Sequence, residues 1–370
     1  MNFDFSEDQK FIQHTAREYL AEHAGLDVCR GVLESDRAYA RELWQGVAEM
    51  GWLGAAAPEA HGGAGMGHLE LVLIAEEIGR ALAAIPFSSS VYVAMEALLQ
   101  HGTDEQKNQY LPRLCSGETI GTFAFGEGAG DLDGSALRTE LSGGKVSGTK
   151  LPVCDGDVAG LAIVLARDGD GSSLALVDLG GEGVSRTALK SIDPSRSLAR
   201  VELAGAPAEV LGDAGKGAEL ASGLLDRAAV IMAFEQIGSA ARALEITKDF
   251  TMGRYAFGRP VASFQAIKHR MADLYAAIEL ARSNAFYAAW ALSTGDEELG
   301  IAAAAARVAA CEAFQLAGEE MIQFHGGVGF TWEYDCHLFY RRAQYTGFAL
   351  GTAAEWREKL VKRLEARHAA

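Results

Sequence analysis

The sequence predicts an α+β protein in three consecutive segments: an N-terminal helical domain over 1–116, a middle antiparallel β-sandwich or barrel over 117–215, and a C-terminal four-helix bundle over 216–370. Three observations carry this reading. Apolar residues recur at helical spacing as far as Leu114, short β-prone runs punctuated by Gly, Asp and Ser begin at Gly117, and no proline follows Pro260. At 370 residues the chain exceeds one ordinary hydrophobic core and suits two or three packed units.

Ser6-Glu-Asp-Gln9 fits a capping box, and Phe11, Ile12, Thr15, Tyr19 and Leu20 follow at helical spacing, so a helix is expected over 7–24. Further helices are expected over 43–50, closed by Gly51, and over 69–82, 91–100 and 105–114. Strands are expected over 120–125, 145–153, 161–166, 173–179 and 199–203, with Gly212-Asp-Ala-Gly215-Lys-Gly217 as the linker out of the β segment. In the last segment, helices are expected over 219–252, 297–323 and 337–364. The series Phe264, Ile267, Met271, Leu274, Ile278 marks another amphipathic helix, with Pro260 suited to its first turn. Ala302 to Ala306, Ala309, Ala310 and Ala313 let the 297–323 helix pack closely, as a bundle interior or subunit contact requires.

Composition narrows the function. A net charge of −17 and a pI near 5.0 disfavour nucleic acid and anionic membrane as partners, since both need a basic face. The longest unbroken apolar run, Ala228 to Phe234, is far short of the roughly 20 residues of a membrane span. Met1 to Ser6 lacks the basic-then-apolar order of a signal peptide, so a cytoplasmic location is expected. Cys29, Cys115, Cys154, Cys311 and Cys336 are scattered without C-x-x-C spacing, which argues against a metal site and a disulfide framework and for reduced, mostly buried thiols. Arg254, Arg259, Lys268, His269 and Arg270 form one basic cluster that can meet phosphates or simply be a solvated helix face.

The chemistry concentrates near the end of the chain. Gln323-Phe-His-Gly326-Gly327-Val-Gly329-Phe-Thr331 follows the alanine-rich run, so backbone without Cβ lies at a helix C-terminus, where a large ligand can approach. A lone Gly pair is more often only a helix cap. This one is preceded by Arg254-Tyr-Ala-Phe257-Gly258-Arg-Pro260, Phe264-Gln265 and Met271-Ala-Asp-Leu274. The ordered series resembles the R-x-x-F-G, Q, L/M-A-D, Q-x-x-G-G series of the acyl-CoA dehydrogenase family, and the loop Pro58-Glu-Ala-His61-Gly62-Gly63-Ala-Gly65 is similar to another of its motifs. The order of the three segments also matches that family over essentially the whole chain. The resemblance implies FAD as cofactor, an acyl-CoA thioester as substrate and an electron-accepting flavoprotein. It places Arg254, Phe257, Gln323, Gly326 and Gly327 along the ADP half of FAD, across a subunit interface. In the implied reaction a carboxylate takes the α-proton of the thioester while the β-hydride passes to the flavin.

Several positions depart from the family pattern. Where V-T-E-P-G-A-G-S-D is usual, the chain reads Phe125-Gly126-Glu127-Gly128-Ala129-Gly130-Asp131; where K-x-W-I-T-N-G is usual, it reads Lys150-Leu-Pro152-Val153-Cys154-Asp155-Gly156. Gly126, Pro152 and Cys154 thus replace a Thr, a Trp and a Thr that would contact the isoalloxazine ring. Leu350 stands where a Y-E-G-T segment would carry the base. Other members carry the base at the start of the first bundle helix, where Asp226-Arg227 is the match after a two-residue offset. Asp226 is therefore the candidate catalytic residue, and Glu235 the other acid in that stretch, better suited to a polar contact inside the bundle. Ile192-Asp-Pro-Ser-Arg-Ser-Leu-Ala-Arg200 and Gly329-Phe-Thr-Trp332-Glu-Tyr-Asp-Cys-His337 resemble the branch that shortens side chains of sterols and other bulky ring compounds as α2β2 heterotetramers. That resemblance implies an FAD-sharing, base-lacking subunit with a homologous partner. Two other readings compete: a homotetrameric dehydrogenase with Asp226 as base, and a non-enzymatic assembly or CoA-binding module on the same fold.

Overall fold

The computed structural model describes residues 5–128 and 137–369, which form two compact units. One, the bundle unit, comprises Met1–Gly31, His68–Ala83 and Ala229–Ala370; the other, the sheet unit, comprises Val32–Gly67 and Ala84–Ala228.

The bundle unit is organised by a close crossing of two helices. These are α4 (His68–Arg80) and the 37-residue α7 (Gly217–Gly253), whose later part belongs to this unit. A Cβ at Gly79 would lie 1.8 Å from the Glu235 carbonyl oxygen, and one at Gly238 would lie 1.9 Å from that of Glu76. Backbone meets backbone there, and Ser239 Oγ donates to the Gly79 carbonyl at 2.8 Å. Around the crossing, α4 carries two buried carboxylates. Glu77 accepts a bidentate pair from Arg17 of α1 (Glu7–His23), at 3.0 and 2.7 Å. Glu76 accepts from Gln13 of α1 and from Arg282 of α8 (Gln265–Thr294). Burial pushes the Glu76 carboxyl up, against the pull of Arg282. Arg80 closes the set on Glu245 of α7.

The alanines of α9 (Leu299–His325) pack as expected, with Ala303, Ala304, Ala306 and Ala310 fully buried. By length and composition this helix is apolar enough to cross a membrane (mean hydropathy 1.3), yet half of that stretch is buried inside the protein. The expected helix over 337–364 is two helices, α10 (Cys336–Phe348) and α11 (Ala353–Ala369). Gly351 breaks it at φ 94, and Thr352 with Glu355 caps the second piece. Pro260 is not in the first turn of α8. It is extended, at φ −56 and ψ 140, and a 3-10 turn over Val261–Ser263 intervenes before the helix starts at Gln265. The capping box of α1 forms as expected, whereas the short α2 (Leu26–Leu33) has too few turns to show a period.

The sheet unit holds α3 (Arg41–Glu49), α5 (Glu96–His101) and α6 (Asp104–Cys115) beside one eight-stranded sheet. Its strands are β1 (Gly121–Ala124), β2 (Glu140–Ser142), β3 (Lys145–Cys154), β4 (Leu161–Asp168), β5 (Gly171–Asp178), β6 (Val184–Leu189), β7 (Leu198–Pro207) and β8 (Glu209–Leu211). The order is β6-β7-β3-β2-β4-β5-β8 with β1 on β4. Pairing is antiparallel except that β1 and β2 run parallel to β4, so the sheet is mixed. The helix expected over 91–100 begins as a fully buried π-helical stretch, Ser88–Met95. Its serines are tied down: Ser90 Oγ accepts from Gly121 N, Ser89 Oγ donates to Asp155 at 2.6 Å, and Ser88 accepts from Arg196 at 2.7 Å. Arg196 is itself buried and paired with Asp155 at 3.1 Å. The Asp193-Pro-Ser-Arg196 motif is thus a brace between this stretch and the end of β3.

The glycine crossing makes a direct prediction. Gly79→Ala or Gly238→Ala should destabilise the protein by about 1–3 kcal/mol or more, because the methyl must displace backbone. Gly223→Ala, on an exposed part of α7 with nothing near its Cβ, should instead gain about 0.5–1 kcal/mol. Denaturant unfolding of the three variants distinguishes these outcomes.

Candidate functional site

Five of the sequence-predicted residues emerge from one end of the bundle unit. After α7 ends at Gly253, the Arg254 N–H donates to the Phe250 carbonyl at 2.9 Å and the chain turns back through a hairpin of β9 (Tyr255–Ala256) and β10 (Arg259–Pro260). Its two-residue loop is Phe257 at φ 53 and Gly258 at φ 78, a primed turn matched to strand twist. Gly suits that conformation, whereas Phe is strained in it. The Phe257 side chain is nevertheless 96% exposed, its ring edge meeting Phe264 at 6.3 Å while the Arg259 guanidinium covers Phe264 at 3.9 Å. Arg254 is exposed beside it.

The second half of the site ends α9. Gly326, at φ 63 and ψ −138, stops the helix, its N–H donating to the Gln323 carbonyl. A Cβ on Gly326 or Gly327 would meet nothing within 4 Å, so bare backbone faces open space. Gly329 is the opposite case, since its Cβ would sit 2.4 Å from the Ile322 carbonyl oxygen. Gln323 is exposed one turn before the pair. The two helix ends are joined by His325, whose ring stacks on Phe250 at 4.0 Å. An exposed guanidinium, an amide, an aromatic ring and Cβ-free backbone therefore share one end of the bundle. That donor set and open approach fit the ADP half of FAD, with phosphates for Arg254 and close backbone contact at the glycines. His325 escaped the sequence reading because nothing in its spacing separates it from the motif residues on either side.

The positions expected to meet the isoalloxazine ring are arranged differently. Ala129, Gly130 and Asp131 lie outside the described residues. Gly126 offers no side chain, and its carbonyl accepts the Leu151 N–H at 3.0 Å while the Gly128 N–H donates to Leu151 at 2.8 Å. The pairing of β3 with β7 shifts register between Lys150 and Val153, and exposed Pro152 sits in that irregularity. Glu127 holds the segment. Burial would raise its carboxyl, but bonds from buried Lys150 Nζ (2.8 Å) and the Arg138 and Thr139 amides win and bring it down to about 2. Cys154 is half-buried, with its carbonyl accepting from Thr122 Oγ1 at 2.6 Å. Cys29, Cys115, Cys311 and Cys336 are buried thiols outside any disulfide.

The acids are interior. Asp226 is 7% exposed and belongs to the sheet unit, whereas the five cofactor candidates belong to the bundle unit. Its neighbour Arg227 pairs with buried Glu96 at 2.8 Å. Glu235 is buried in the bundle unit. Leu350 is 4% exposed in the α10–α11 break, and its carbonyl accepts from the Trp356 indole at 3.0 Å. One turn earlier, the fully buried Arg307 donates to the Thr346 carbonyl and to Gln236.

Residues 6–118 match the model for the acyl-CoA dehydrogenase N-terminal domain and residues 215–365 that for the C-terminal domain. Acyl-CoA dehydrogenase IpdE2 of Mycobacterium tuberculosis is 33% identical over 362 residues, 97% of this chain and 96% of that protein. The chain belongs to the acyl-CoA dehydrogenase family. Acyl-CoA dehydrogenases are flavin-dependent oxidoreductases of acyl-CoA thioesters, and this chain is similar in structure to chains of two solved relatives. One is the Tcur3481-Tcur3483 steroid ACAD, at TM-score 0.91 and 31% identity over 98% of this chain and 99% of that one. Another is a chain of the ChsE4-ChsE5 complex from Mycobacterium tuberculosis, at TM-score 0.88 and 29% identity over 99% of both chains.

The strained tip yields a prediction. Asn tolerates positive φ far better than Phe, so Phe257→Asn should raise stability by about 1 kcal/mol. If the tip serves the cofactor, the same variant should lose FAD. Paired measurement of melting temperature and flavin content reads both signs.

Proposed function

We propose that this chain is the FAD-sharing, base-lacking subunit of an α2β2 acyl-CoA dehydrogenase that desaturates a bulky, ring-bearing acyl-CoA. The observation that carries the reading is Leu350. The segment that the family resemblance marks for the base is capped and pinned by Trp356, and its side chain at this point is a buried hydrocarbon that cannot accept a proton. The similarity to a steroid ACAD supports a steroid-like substrate, and the similarity to a chain of the ChsE4-ChsE5 complex supports a heteromer. FAD, the cofactor of the family, supplies hydride acceptance when bound.

This chain's residues do the rest. Arg254 places a full positive charge for the pyrophosphate, and Gly326 and Gly327 let that group approach the backbone. Gln323 supplies a side-chain amide, and Phe257 presents an apolar ring to the partner interface. Proton abstraction falls to a carboxylate of the partner subunit. A flavoprotein acceptor reoxidises the assembly, and a cytoplasmic location suits the reduced thiols.

In the assembled enzyme, Arg254→Ala or Gly327→Val should lower bound flavin by about tenfold or more, from a lost charge-assisted bond or a filled approach. Leu350→Ala should leave turnover within about twofold, since no proton moves there. Collapse of turnover in the Leu350 variant, with fold and flavin intact, would count against the assignment.

A further inference from the structure

We propose that His325 is a positioning residue that holds the two halves of the ADP cradle in one geometry. The inference rests on the FAD-sharing reading and assigns a role to a residue that reading leaves unused. His325 is 6% exposed and sits immediately before Gly326. Its Nδ1 lies 2.6 Å from the Met321 carbonyl, which only accepts, so Nδ1 carries the proton and donates. Its ring stacks on Phe250 at 4.0 Å and 24° and meets Tyr334 at 6.2 Å and 66°. Tyr334 in turn meets Phe250 edge-on at 6.2 Å, so the three rings form a closed set.

Two of the three, Phe250 and His325, are attached to segments of the candidate cradle. The Phe250 carbonyl receives the Arg254 N–H that starts the hairpin bearing Arg254 and Phe257. The His325 backbone leads directly into the open glycines, and Gly329 passes so close that its Cβ would lie 3.0 Å from the His325 Cβ. Rotating the imidazole therefore moves both the hairpin and the glycine turn. Burial lowers the His325 pKa from its ordinary 6.5, which keeps the ring neutral with a single N–H for Met321. Since aromatic pairs and single hydrogen bonds are each worth about a factor of ten or less, their joint loss should weaken FAD binding about tenfold to a hundredfold.

The test uses the assembled enzyme, stripped and reloaded with FAD, with ADP as competitor. His325→Ala and Phe250→Ala should each weaken FAD and ADP by the same factor, and the double variant should lose less than the product of the two. His325→Phe keeps the stack, loses the bond to Met321 and should fall between wild type and His325→Ala. The absorption spectrum of the flavin that does bind should be unchanged, because the ring lies away from the ADP half; a generally damaged fold would alter it. Unchanged FAD and ADP affinity in both His325 variants, beside a weakened Arg254→Ala control, overturns the positioning role alone. If the Arg254→Ala control is also unchanged, the cradle assignment itself is wrong.

Discussion

The bundle unit depends on two helices whose backbones touch. At Gly79 and Gly238 the closest approach leaves no space for even a methyl group, and the surrounding Glu76, Glu77, Arg17, Arg282, Arg80 and Glu245 side chains satisfy charges that the tight crossing would otherwise strand. Breaking one partner of such a buried set leaves an uncompensated charge, which costs more than the pair contributes. Through this crossing the early segment bearing α1 and α4 becomes part of the same unit as α7 to α11. A rigid α7 then fixes where Phe250 lies, and Phe250 fixes where the hairpin leaves the bundle.

The candidate site at that end leaves the Phe257 ring and the Gly326–Gly327 backbone uncovered. An aromatic ring 96% exposed, at a backbone angle that disfavours it, is an arrangement a solitary globule has no use for. It agrees with a cofactor or subunit closing over the tip. At the positions that the resemblance assigns to the flavin ring, polar capacity is spent internally. Leu151 takes Gly126 and Gly128, Lys150 and two amides take Glu127, and Thr122 takes the Cys154 carbonyl. On the proposed reading, buried Leu350 offers hydrocarbon where the base would stand.

Most of the backbone of the candidate cradle was legible in sequence because it is local. A Gly pair after an alanine-rich run must end a helix with accessible backbone, and Arg254, Phe257 and Gly258 follow directly from the preceding helix. The Ser6–Gln9 capping box is equally local and formed as read. Features that depend on distant partners were not legible. The parallel pairing of β1 with β4, the π-helical stretch braced by Arg196 and the ring contact between Phe250 and His325 join residues far apart in the chain. The split of the last helix had a local sign in Gly351 and the Thr352–Glu355 cap, but an otherwise continuous helical period masked it. Pro260 failed for a similar reason, because a proline that opens a 3-10 turn and one that opens an α-helix look alike in sequence.

The central claim is that one FAD belongs to two unlike chains. It is tested most directly by FAD per polypeptide, from the visible spectrum and a protein assay, for this chain purified alone and again co-expressed with a homologous partner that carries the base. A colourless lone chain and a co-purified pair holding about one FAD per two chains is the predicted result. A lone chain that is yellow, with one FAD each and turnover of its own, would contradict it and move the search for the base to Asp226.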